Sequence, residues 1–137
     1  MTSATSAASG SASSGESVLL IDVLVPVRLV TESNNDRHWR KRATRAKAQR
    51  STAFLMARAV DGWRVFNPAK RYRVLITRIA PRELDSDNLT SSAKHVRDGI
   101  ADALAIDDRD KRVEWDVDYE KGAPHTYAAR VRIWEVR

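Results

Sequence analysis

Seven aspartates, Asp85, Asp87, Asp98, Asp102, Asp107, Asp108 and Asp110, crowd the stretch RELDSDNLTSSAKHVRDGIADALAIDDRD (82–110) of a chain whose formal net charge is +6. Hard divalent cations prefer oxygen ligands. Magnesium takes one or two carboxylates and completes its octahedron with phosphate oxygens and water. Asp85 and Asp87, joined further on by Asp108, have the chemistry for such a site. Magnesium held there would polarise a phosphodiester and lower the pKa of the attacking water, and Lys94 would stabilise the charge that develops. The competing reading is structural. Aspartate near a helix start is ordinary capping, because its carboxylate gains from the free N–H groups of the first turn. An EF-hand is excluded, since its glycine and terminal glutamate are missing.

These residues need elements to hold them. Residues 88–104 have the apolar period of one amphipathic helix. Counted from Asp87, Lys94 falls at about −20° and Asp98 at about +20°, while Leu89, Ala93, Val96, Ile100 and Ala103 fall at roughly 160–240°. Asp87, Ser91, Lys94 and Asp98 are therefore expected in one row, opposite a face that packs inward. Upstream, residues 36–61 read as a second helix with an alanine stripe, Ala43, Ala46, Ala53 and Ala57, ending in Val60, toward the core. From Arg37 to Val60 there is no acid. Arg37, Arg40, Lys41, Arg42, Arg45, Lys47 and Arg50 surround the first half of this helix, which suggests a segment gripped by the phosphates of a polyanionic partner, a solvated charged helix being the alternative. Trp39, at its start, would either stack on an exposed base or staple onto the next turn.

VLLIDVLV (18–25) reads as a strand that Pro26 puts at an edge or bulge. RYRVLITRIA (71–80) is a strand ended by Pro81. KRVEWDVDYE (111–120) and YAARVRIWEV (127–136) alternate cleanly, and Lys121 to Thr126 between them suggests a hairpin. Trp63, Trp115 and Trp134 are expected in the core. The expected fold is α+β, one domain, in the order β-α-β-α-β-β: a mixed sheet with helices packed on it.

Residues 1–16 carry one charge and no large apolar residue beyond Met1, and are expected to be disordered. The domain then spans residues 17–137. With no cysteine, disulfides and thiolate zinc sites are excluded and a reducing cytoplasm is the expected compartment. The apolar run at 18–27 is too short to span a bilayer. It has no preceding positive charge and is interrupted by Asp22, so neither a secretory signal nor a membrane partner is expected.

LDSDNLTSSAKHVRDGIADALAIDDRD, together with the upstream SNNDRHWRKRATRAKAQR, resembles the RusA-type crossover junction endodeoxyribonucleases of phages and prophages. That family combines D-x-D-N, a helix carrying Lys and then Asp, an Asp-Asp pair after the helix, and S-x-N before a basic helix. The resemblance covers about residues 18–136. It implies metal-binding carboxylates at Asp85, Asp87 and Asp108, a catalytic Lys94, and supporting roles for Asn88 and Asp98. It further implies magnesium-dependent hydrolysis of four-way DNA junctions, in recombination and repair, by a homodimer. In the family's pattern the lysine follows the second aspartate by four residues, whereas Lys94 follows Asp87 by seven. That moves it roughly 4.5 Å further along a helix while keeping the same face. An unbroken helix over 88–104 would be about 25 Å long, too long for Asp87 and Asp108 of one chain to share an ion. This points to a site shared across the dimer, or to a broken helix. Two other readings stay open: a nuclease for other branched or single-stranded nucleic acid, and a DNA-binding regulator without catalysis.

Overall fold

The structure, a computed structural model, describes residues 17–31, 39–60, 67, 69–107 and 109–136. The elements are β1 (Ser17–Val25), α1 (Trp39–Ala59), β2 (Arg71–Ala80), α2 (Ser86–Ser92), α3 (Lys94–Leu104), β3 (Val113–Lys121) and β4 (Ala128–Val136). The architecture is α+β, with one four-stranded mixed sheet in the order β1-β4-β2-β3. β2 and β3 run parallel, joined by the crossover through α2 and α3. β4 is antiparallel to both β1 and β2. The register shifts between Leu19 and Ile21, and β1 ends before Pro26, a residue suited to an edge strand.

Two expectations about connectivity are corrected. β3 and β4 do not form a hairpin, because β2 lies between them. β2 is buried along most of its length and so takes a partner on each side. Its strand-like neighbours in sequence could not reveal that insertion. The helix expected over 88–104 is also two helices, α2 and α3, divided at Ala93 (φ −93°, ψ 0°). The Thr90-Ser91-Ser92 run explains the break. The Ser91 hydroxyl donates to the Asn88 carbonyl at 3.2 Å and that of Ser92 to Leu89 at 2.7 Å. Serine hydroxyls that take helix carbonyls compete with the backbone ladder and bend it.

Alternation along the strands builds one core. Ile21, Val23 and Val25, then Ala129, Val131 and Ile133, then Tyr72, Val74 and Ile76 face Val96, Ile100, Ala103 and Leu104 of α3. α1 adds Ala53 and Ala57, with buried Gln49 donating to the Arg28 carbonyl at 2.7 Å. The expected alanine stripe holds only in the second half of α1. Ala43 is exposed, because the N-terminal half runs past the core edge. α1 crosses α3 closely at Gly99. A Cβ there would collide with the Arg50 carbonyl and lie 2.9 Å from the Ala53 Cβ. Arg50 clamps the same crossing, bonding Asp102 at 2.7 and 3.0 Å.

The opposite parity of the sheet carries charge. Arg130 bonds Asp22 at 2.9 and 2.7 Å, and Arg132 donates to Thr77 at 3.1 Å. Trp134 lies on this side under Arg73 and Arg132, so the expectation that it is core is corrected. By alternation its side chain points away from inward Ile133. Trp115 does pack against the core, and Trp63 lies outside the described residues. So does the 1–16 segment expected to be disordered.

Candidate functional site

Asp85 caps α2. Its Oδ1 accepts the Asn88 backbone N–H at 2.9 Å, and its Oδ2 accepts the Asn88 side-chain amide at 3.0 Å. A carboxylate at the N-cap satisfies a donor that the first turn leaves unpaired. Asn88 is half-buried and serves Asp85 twice, which gives this residue a defined structural role. Asp87 follows in the first turn, exposed.

The acidic crowding largely resolves into pairs. Asp98 receives the Lys94 ammonium at 3.3 Å, and Asp102 binds Arg50. Asp107 accepts from the Arg109 backbone at 2.9 Å, and Asp110 binds Arg112 at 2.9 Å. Hydrogen bonds from Arg50 hold the Asp102 carboxyl below its ordinary value of 3.8 against the opposing effect of burial, and Arg112 does the same for Asp110. Among the described residues of this stretch, Asp87 alone among the aspartates has no side-chain partner. Asp108 lies outside the described residues.

Lys94 opens α3 on the far side of the Ala93 break, so the row expected on one helix is carried by two, with Lys94 paired to Asp98. Lys94 lines a cavity of about 460 Å³ with Thr90, Ser91, Arg97, Trp115 and Asp116. The Arg97 guanidinium sits 4.9 Å from the centre of the Trp115 ring, whose indole N–H is buried without a hydrogen-bond partner among the described residues. Cationic and hydroxyl groups in one cavity beside α2 can hold an anion.

On α1, Arg40, Lys41 and Lys47 are exposed and Arg42 and Arg45 are half-buried. Arg50 is engaged by Asp102, so its first duty is to join two helices. Arg37 lies outside the described residues. Trp39 is 58% exposed, with Arg40 5.2 Å from the centre of its ring.

One set of residues was not legible in the sequence. Arg28, Arg78, Arg82, His125 and Tyr127 come from three separate segments yet line one cleft. No spacing links them, and only the end-on meeting of the strands does.

Among the described residues no group of three His, Cys, Asp or Glu is placed to hold a metal ion. The described donor set at the start of α2 is two hard carboxylates, Asp85 and Asp87, which suits magnesium's habit of taking few protein ligands.

No family model matches the chain. An uncharacterized protein of Xylella fastidiosa (strain Temecula1 / ATCC 700964) is 39% identical over 79 residues, which is 53% of this chain. The chain spans about half (49%) of that relative's length. No helix among the described residues is long and apolar enough to cross a membrane.

Proposed function

We propose that this protein is a magnesium-dependent endonuclease of the RusA type, hydrolysing phosphodiesters in four-way DNA junctions. The observation that carries the reading is Asp87. It stands exposed and unpartnered at a helix start, in a stretch whose other described aspartates are all engaged. Capping accounts for Asp85, whereas Asp87 gains only the general attraction of the first turn for an acid, with no hydrogen bond among the described residues.

Asp85 and Asp87 would hold the ion, with Asp108 as a third ligand, and Asn88 would fix the orientation of Asp85 through its two hydrogen bonds. Bound magnesium supplies a polarised phosphoryl oxygen and a water of lowered pKa. Lys94, 65% exposed at its side chain, would leave Asp98 to meet the charge developing on the phosphate. The exposed cations of α1 would hold flanking phosphates. The helical stretch between Asp87 and Asp108 is interrupted at Ala93 yet runs on to Leu104, and a homodimer is the assembly proposed with this site. Light scattering on the purified protein checks the dimer.

One observation favours a second reading, a DNA-binding regulator without catalysis. Both oxygens of Asp85 already serve the cap. Labelled four-way junction, flap, duplex, single-stranded DNA and RNA, each with and without magnesium, separate the possibilities. Symmetric magnesium-dependent cuts at the junction alone support the proposal. Cutting of other substrates shifts the substrate class. Binding without cutting favours the regulator.

A further inference from the structure

A second cleft, of about 530 Å³, opens where the C-terminal end of β2 meets the segment after β1 and the β3–β4 connection. Arg28, Arg78, Arg82 and His125 line it, with Leu84 and Tyr127 as its apolar flank, and none of the described lining residues is acidic. Arg78 is the unusual member, at only 6% exposure. Its Nε donates to the Leu29 carbonyl at 3.0 Å and its Nη1 to the Arg82 carbonyl at 2.5 Å. No carboxylate pairs with it among the described residues. Burial lowers its pKa, yet arginine stays charged near neutrality. Burying a cation without a counter-ion is costly. The two carbonyls orient the guanidinium but do not neutralise it. Arg28 is exposed, with its guanidinium 4.1 Å from the centre of the Tyr127 ring. Arg82 is exposed too, three residues before the cap Asp85. At most about 11 Å of chain separates them.

We propose that this cleft is a phosphate-binding subsite that grips the backbone of a nucleic-acid strand beside the Asp85–Asp87 site. Three guanidinium groups around one opening match the oxygens of a phosphate, which arginine can bind with two parallel hydrogen bonds. The Tyr127 and Leu84 flank suits the sugar and base beside it. The subsite rests on the nucleic-acid part of the proposed function and does not require catalysis.

The test measures binding in EDTA, so that cleavage plays no part. Arg28→Ala, Arg82→Ala and the double variant are titrated with fluorescent single-stranded and junction DNA across a range of salt. Both side chains are exposed, and thermal unfolding checks that the fold is kept. Lys111→Ala is the control, since Lys111 precedes β3 at the opposite end of the sheet. Each arginine that touches a phosphate should lower the slope of log K against log salt by about 0.7–0.9 and weaken binding several-fold. Arg82→Lys should recover part of the affinity, as a point charge replacing a fork. Wild-type slope and affinity in the double variant, or an equal loss in Lys111→Ala, would overturn the subsite. So would failure of the wild-type protein to bind any of these DNAs. Tight binding through these arginines without magnesium-dependent cutting would sink the nuclease reading alone.

Discussion

At the level of single residues, Asp85 and Asp87 sit two apart yet do different work. Asp85 holds the first turn of α2 through Asn88. Asp85→Ala should therefore lower stability by about 1 kcal/mol, the usual loss for a removed cap. Asp87→Ala should leave the unfolding midpoint nearly unchanged. Equal midpoints for the two variants would show that the cap contributes nothing. Activity should divide the other way. Asp87→Asn is expected to abolish magnesium-dependent cleavage while preserving or tightening junction binding, because it removes a metal ligand and a repulsive charge together. Cleavage assays beside gel-shift titrations check this, and undiminished cutting would remove Asp87 from the metal site.

The helices meet at places where one atom decides the sign of an effect. Gly99 lets α3 approach α1, and a methyl group there would meet the Arg50 carbonyl and Ala53. Gly99→Ala should destabilise by on the order of 1–3 kcal/mol, despite alanine's better helix propensity, because overpacking outweighs it. Six residues on, the sign reverses. Ala105 closes α3 at φ 60°, in the left-handed region, with Ile106 N–H donating to the Ala101 carbonyl at 3.0 Å. This is the closure that glycine makes without steric penalty. Ala105→Gly should stabilise by about 1 kcal/mol. Urea titrations of both variants give the two signs directly. The Arg50–Asp102 clamp adds a pH dependence. The carboxyl of Asp102 is held below 3.8 in the fold, so its contribution is complete above that value and is lost as pH falls through the lowered pKa. Both side chains are half-exposed, so a double-mutant cycle near neutrality should give no more than about 1 kcal/mol. It should approach zero in strong acid, and a coupling that persists there would mean that the ion pair is not its source.

Across the whole molecule, the excess positive charge is spread along α1 and around the cleft at the end of β2. Converting the exposed Arg40, Lys41 and Lys47 to alanine together should weaken binding to every DNA shape alike. It should also flatten the salt dependence by up to about 0.9 per lost contact on duplex DNA. Phosphate contacts carry no sequence or shape information of their own, so the ranking of substrates should survive. An unchanged slope would identify α1 as a solvated surface. A changed ranking would instead make it a reader of junction shape.

The sequence alone determined the elements, because each carries its period in its own residues. Alternation marks β2, β3 and β4, and the inward row Val96, Ile100 and Ala103 marks α3. The capping of Asp85 was legible too, since a cap is a contact across three residues of chain. Other features depended on contacts distant in sequence. β2 lies between β3 and β4 because a strand buried on both edges needs two partners, and nothing local in either neighbour specifies which they are. The break at Ala93 was written in Thr90-Ser91-Ser92, but the apolar period across it is helical on both sides and masks it. Arg50 read as one more cation of a basic helix until α3 brought Asp102 to it. The cleft of Arg28, Arg78 and Arg82 exists only in three dimensions. Its buried guanidinium is oriented by carbonyls 49 and 4 residues away, a juxtaposition that chain folding decides and residue spacing cannot encode.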